Sequence, residues 1–297
     1  MSHPFPPLTS RFRFIPRLVC VIGFTMVAIL SAPLAQADPR NDIAKAKELA
    51  DPMLAGANDW DCKPSAEHPK PVVLVHGLFL RAAINWSYVS PRLSSAGFCV
   101  FALNYGMSGG GLPGTSLMQV SAKELKTFVT GVKAATGAAK VDLLGHSQGG
   151  LMPRWYLRFE DGARDVDNFV ALAAPNHGSS RNLFALLPPE LGDVICRSCY
   201  QFSEGSEFLT ELNHGREIES GVSYTTINTR WDQAVVPYTS GYLNGASTSI
   251  TNVRLQDACP DNRSGHAGIG YDRVMFQWAL DALARTGPAN PGLEPRC

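Results

Sequence analysis

Beyond residue 37 the sequence lacks any apolar run approaching the roughly 20 residues that a membrane-spanning helix needs. Internal repeats, blocks of like charge and low-complexity linkers are also missing, which excludes repeat architectures and charged interaction tails. Charge is scarce, with 26 Lys and Arg against 26 Asp and Glu in 297 residues. Three of the arginines fall within residues 1–37, where there is no acid, so the remainder carries 23 basic and 26 acidic side chains, a net charge of −3. Phosphate binding draws on clustered Lys and Arg, and no nucleic-acid partner is expected of such a chain. Metal-ligand spacing occurs in Cys196-Arg197-Ser198-Cys199, but no second pair of this kind and no nearby His pair completes a tetrahedral site. No metal and no cofactor is expected.

Residues 1–37 read as a signal peptide. Arg11, Arg13 and Arg17 form a basic leader, residues 18–30 an apolar core, and Ala35-Gln36-Ala37 a small-residue cleavage site. The expectation is a secreted, extracellular protein with one domain over residues 38–297. Within it, 38–70 read as an extended N-terminal arm and 287–297, with three prolines, as a surface tail. Six cysteines remain after residue 37, an even number that suggests three disulfides in an oxidising compartment. We expect Cys62 with Cys99, tying the arm to an early strand, Cys196 with Cys199, and Cys259 with Cys297, anchoring the tail.

Short apolar runs at 71–76, 98–103, 141–144, 169–173 and 222–228 have the character of buried parallel strands. Between them lie helical periodicities. Leu117, Val120, Ser121, Phe128 and Val132 are placed on one face, and Tyr271, Val274, Met275, Trp278 and Ala282 on another near the end. This alternation predicts an α/β fold, a mostly parallel central sheet with helices on both faces. Ligands of such folds collect at the carboxyl ends of the strands.

Ser147 lies at one of those ends, in Gly145-His146-Ser147-Gln148-Gly149. A serine between strand and helix on so sharp a turn is lifted clear of the sheet, and glycines two positions either side avoid side-chain clash. Such a turn also aims a helix N-terminus at any negative charge that develops beside the hydroxyl. Ser147 is therefore the candidate nucleophile, and Pro153, past the first helical turn, predicts a bend or loosened turn.

In this arrangement the acid and then the histidine follow the serine along the chain. Downstream histidines are His177, His214 and His266. His177 ends a strand and could line the site but precedes every plausible acid loop, and His214 sits in a helix-stop pattern. His266, in a loop that opens the last amphipathic helix, is the candidate base. Asp232, after the strand at 222–228, is the preferred acid, because a strand end is a better-fixed platform than the loop that carries Asp257 and Asp261 beside Cys259. The backbone N–H groups of Leu78 and Gln148 are the candidate oxyanion donors. His76 and His146 are expected to shape their turns by hydrogen bonding. Residues 106–114 and 179–215 are expected to rim a pocket at Ser147, with Phe184, Leu186, Leu187, Phe202, Phe208 and Leu209 as apolar lid or wall.

The stretches 72–79 (VVLVHGLF), 141–154 (VDLLGHSQGGLMPR), 174–179 (APNHGS), 229–238 (TRWDQAVVPY) and 252–260 (NVRLQDACP) together resemble the secreted bacterial class 2 triacylglycerol lipases. The resemblance runs over roughly 58–285, and TRWDQAVVP with the Ser147-Gln148 pair is more distantly similar to the fungal lipase B type. It implies an α/β-hydrolase that cleaves carboxylic esters with Ser147, Asp232 and His266, using Leu78 and Gln148 as oxyanion donors. The implied partner is an ester or lipid, met at a lipid–water interface. Several members of the resembled family have a hydroxyl residue where this chain has Leu78, which can offer its backbone alone. Two alternatives use the same scaffold: an extracellular polyester or polyhydroxyalkanoate depolymerase, and a non-catalytic surface-binding protein.

Overall fold

The structure, a computed structural model, describes residues 1, 38–108, 111–182 and 188–297. Residues 2–37, read from the sequence as a signal peptide, and the pocket candidates Phe184, Leu186 and Leu187 lie outside the described residues.

Six strands, β1 (Val72–Val75), β2 (Val100–Leu103), β3 (Val141–His146), β4 (Val166–Leu172), β5 (Ser223–Asn228) and β6 (Ile250–Arg254), form one sheet in the order β2-β1-β3-β4-β5-β6. Every pairing in it is parallel. β1, β2 and β3 are buried along their whole length and β4 and β5 nearly so, and side chains of β1 to β4 alternate between two cores. Val73, Val75, Phe101, Leu103, Leu143, Phe169 and Ala171 enter one core, and Val72, Leu74, Val100, Ala102, Leu144, Val170 and Leu172 the other. This period of two is a property of the pleat. Each such fully buried Leu, Val or Phe side chain contributes about 1.5–3 kcal/mol.

The first core is covered by α1 (Pro39–Leu49), α4 (Met118–Thr136), α5 (Gln148–Phe159) and α7 (Glu207–Asn213). The second is covered by α2 (Ala82–Asn85), α3 (Val89–Ser95), α8 (Leu255–Ala258) and α9 (Arg273–Leu283). A further short helix, α6 (Pro189–Ile195), follows the undescribed residues 183–187. The chain leaves β1 for one face of the sheet and β3 for the other, so the carboxyl ends of these neighbouring strands bound a crevice at the topological switch point.

Several details differ from the sequence reading. Residues 38–70 are not simply extended, because α1 occupies 39–49, capped by the Asp38 carboxylate, which accepts the Arg40 N–H at 3.0 Å. It docks on α4 where Gly131 leaves room: a Cβ there would lie 2.3 Å from that of Ala46. The rest of the arm covers the β2 edge, with Asp51 N–H donating to Ala102 O and Asn58 N–H to Val100 O, which closes a sheet edge that would otherwise be open to pairing. Val120 is 48% exposed and off the buried face of α4, and Tyr271 is 44% exposed in a single turn before α9. The helix α5 continues through Pro153 without a break. β6 was not anticipated at all.

Disulfides join Cys62 to Cys99, Cys196 to Cys199 and Cys259 to Cys297. Of these, Cys259–Cys297 spans the longest stretch, 38 residues, and holds the tail beside the α8–α9 loop. In the chain-entropy model a loop of that size is worth about 3–4 kcal/mol. Cys297→Ser is expected to lower the urea midpoint by that amount divided by the m-value, and an unchanged midpoint would show the cross-link to be energetically idle.

Candidate active site

Ser147 stands between the end of β3 and the first turn of α5 with φ 56° and ψ −121°, a conformation that side chains rarely adopt. The turn is tight enough to dictate its neighbours. A Cβ on Gly145 would lie 1.8 Å from Gly149 O, and one on Gly149 would lie 2.2 Å from Val75 O. The Ser147 N–H donates to Leu172 O at 2.8 Å, which pins the turn to the end of β4.

His266 reaches the serine from the loop between α8 and α9. Its Nε2 lies 2.9 Å from Ser147 Oγ, and its Nδ1 lies 2.9 Å from Asp232 Oδ2. The other Asp232 oxygen accepts the N–H groups of Ala234 at 2.8 Å and Val235 at 2.7 Å, so one oxygen is tied to the loop and the other is left for the imidazole. The Asp232 carboxyl is 2% exposed. Asp257 turns away to pair with Arg254.

The loops that carry Asp232 and His266 are braced to each other. Thr229 Oγ1 donates to Ser264 O at 2.6 Å, Gln256 Nε2 donates to Thr229 Oγ1 at 2.9 Å, and the His266 N–H donates to Gln233 Oε1 at 3.1 Å. None of these braces was legible in the sequence, since each joins ordinary polar residues far apart in the chain.

Gln148 is the first residue of α5, so its N–H is one of those a helix leaves without an internal acceptor. Leu78, after β1, lines the same cavity as Gln148, Ser147 and His266. Gln148 Nε2 donates to Gly114 O at 2.6 Å, and Phe79 N–H donates to Pro113 O at 2.9 Å, which sets Pro113 and Gly114 against the Leu78 turn. The cavity, about 200 Å³, is walled by Pro175, Phe202, Ala234 and Val235. Of the expected apolar wall, Phe202 is present, whereas Phe208 and Leu209 are buried in the core, with Phe208 stacked on Trp155. A larger depression of about 550 Å³ between β6, α9 and the tail touches none of Ser147, Asp232 and His266.

His76, His177 and His214 take no part in the hydrogen bonds that join Asp232, His266 and Ser147. His76 Nδ1 contacts Gly77 O at 2.8 Å and its Nε2 accepts from Tyr105 N–H at 3.2 Å, while burial pushes its pKa down to about 4. His177 is bonded to Glu217 and Ser240 and is not among the cavity walls, and His214 is the C-cap of α7. Burial pulls the Glu217 carboxyl upward, but hydrogen bonds from His177 and Asn244 hold it at about 2.

A model of the family described as Lipase (class 2) matches residues 69–279. The chain belongs to the class 2 lipase family. A triacylglycerol lipase of Pseudarthrobacter phenanthrenivorans is 33% identical over 114 residues, 37% of this chain and 34% of the relative. The class 2 lipase chain thus spans about a third of the length of that curated relative. Lipase B of Pseudozyma antarctica is 25% identical over 281 residues, 91% of this chain and 77% of the relative. The crystal structure of Aspergillus fumigatus lipase B superposes with a TM-score of 0.67 at 24% identity, covering 80% of this chain and 57% of that one. That likeness establishes the α/β-hydrolase fold.

Proposed function

We propose that this class 2 lipase is a secreted carboxylic ester hydrolase, acting on triacylglycerols or related lipid esters through a Ser147–His266–Asp232 triad in a single catalytic domain over 38–297. The observation that carries the reading is the unbroken series of hydrogen bonds from Asp232 Oδ2 through both ring nitrogens of His266 to Ser147 Oγ, at the mouth of an apolar cavity. Names of relatives that include triacylglycerol lipase favour the lipid ester. Export is supported by the signal-like segment and by three disulfides. Among the described residues no helix is long and apolar enough to cross a membrane.

The chemistry follows from the geometry. As Ser147 Oγ attacks the ester carbonyl carbon, His266 Nε2 takes its proton, and Asp232 steadies the resulting imidazolium. The carbonyl electrons move onto oxygen, and that oxyanion is received by the N–H groups of Leu78 and Gln148, with the α5 N-terminus behind it. Collapse expels the alcohol, which collects the proton from His266, and water repeats the cycle on the acyl-serine. No hydroxyl at position 78 adds a third donor.

A fluorophosphonate added to the mature protein should attach once, on the tryptic peptide that contains Ser147, in proportion to the loss of turnover on a triacylglycerol and short-ester panel. Labelling elsewhere, or full labelling with undiminished turnover, would refute the assignment. Preferential release of hydroxy acids from polyester film would move the substrate to the depolymerase class.

A further inference from the structure

One buried imidazole beside the nucleophile has no part in the proton transfers above. His146, the last residue of β3, is 2% exposed. Its Nε2 lies 2.9 Å from the backbone carbonyl of His266, and its ring centre lies 5.2 Å from that of His266. On the other side, Nδ1 sits 3.1 Å from Oδ1 of Asn85, which is also 2% exposed. That Asn85 oxygen already accepts the Gly77 N–H at 2.8 Å, one residue before the oxyanion donor Leu78. Gly77 itself lies against the ring, where a Cβ would be 3.4 Å from His146 Nδ1.

Both atoms facing His146 are oxygens, yet a neutral imidazole carries one N–H. Burial is the main force pushing the His146 pKa down, to about 3, and the neighbouring His266 adds to it, so the ring is neutral. One oxygen therefore receives the proton. The nearer is the His266 carbonyl, whereas Asn85 Oδ1 already has a donor in Gly77.

We propose that His146 is a positioning residue: its Nε2–H holds the His266 peptide, and so keeps the His266 ring between Ser147 and Asp232. The role rests on the triad reading. The strand that delivers the nucleophile thereby also fixes the base, through one hydrogen bond across 120 residues of sequence. Asn85, the last residue of α2, accepts the Gly77 N–H and so sets the Gly77 turn beside the edge of the imidazole. Loss of the bond would let the base drift, and displacement of a reacting group by about 1 Å can cost on the order of 10²-fold in rate.

Two amides separate the ring nitrogens. In His146→Gln the side-chain nitrogen reaches the place of Nε2, whereas in His146→Asn it reaches the place of Nδ1. With kcat expressed per site titrated by fluorophosphonate, His146→Gln should stay within about tenfold of the wild type, while His146→Asn and His146→Phe fall by roughly 10–100-fold, all with little change in KM. Activity retained in Asn and lost in Gln would overturn the proposal, as would equal losses in all three that track Tm, which a packing role would produce. The unaltered protein supplies a second readout that needs no variant to fold. ¹⁵N-histidine NMR should find His146 in the Nε2–H tautomer, and an Nδ1–H tautomer would refute the bond. If Ser147→Ala keeps its turnover, the triad reading fails and this role with it. If that variant is dead and the Gln–Asn order is reversed, the positioning role alone is lost.

Discussion

Ser147→Ala is expected to lower kcat for ester hydrolysis by on the order of 10⁶-fold and to abolish fluorophosphonate labelling. The loss is this large because the hydroxyl is the atom that forms the covalent bond; with it gone, the cavity and the oxyanion donors are left to act on water alone. Stability should barely move. Alanine keeps the Cβ that already stands at φ 56°, so the backbone strain of the turn is neither added nor relieved, and the one described side-chain hydrogen bond that disappears is to His266. Matched thermal unfolding of the two proteins separates the chemical loss from any folding defect. Substantial turnover by folded Ser147→Ala would place the nucleophile elsewhere and end the triad reading.

Asp232→Asn should reduce kcat by roughly 10⁴-fold at neutral pH with KM nearly unchanged. The structure gives this substitution a definite orientation. Asp232 Oδ1 accepts two backbone N–H groups, from Ala234 and Val235, and an asparagine will keep its carbonyl oxygen there because an NH₂ would face two donors. The NH₂ then points at His266 Nδ1 and donates to it. The ring must accept at that nitrogen, so its proton moves to Nε2, where it faces Ser147 Oγ and cannot receive the serine proton. The imidazolium also loses its counter-charge. Asp257→Asn should cost far less, since Asp257 is engaged by Arg254, and Asp261→Asn likewise, as that residue is exposed beside Cys259. All three variants are compared on one soluble short-chain ester, with circular dichroism to check the fold. A crippled Asp261→Asn or Asp257→Asn beside an active Asp232→Asn would transfer the acid role.

The sheet was legible where its strands are apolar on both faces, as in VVLV at 72–75 and VFAL at 100–103, because a strand covered by helices on both sides has no polar face to show. β6 escaped for the converse reason. It is an edge strand with an exposed Asn252 in its centre, so ITNVR alternates and carries only a faint strand signal. The first helix was missed because it is mostly polar and buries Ala46 alone. Its stability comes from the Asp38 cap and from docking at Gly131, 85 residues away in sequence from that alanine. The arm that follows is likewise held by the β2 edge rather than by its own composition.

By itself the sequence determined the turn chemistry at the candidate site. Gly145 and Gly149 around Ser147 announce a backbone approach that no larger residue tolerates, and chain order then selects an acid and a histidine from a short set. What only the tertiary structure decided is which of those groups meet and what holds them there. Asp232 was separated from Asp257 and Asp261 by the hydrogen bonds of its two oxygens, which depend on loop conformations that local propensity does not encode. Asn85, Gln233, Gln256 and Thr229 bear on the site through contacts that span from 26 to 61 residues. A polar side chain of that kind has no periodicity and no spacing rule to betray its partner. Its partner is set by where the β-sheet brings the loops at its carboxyl edge, and the sheet forms only when the whole core is buried.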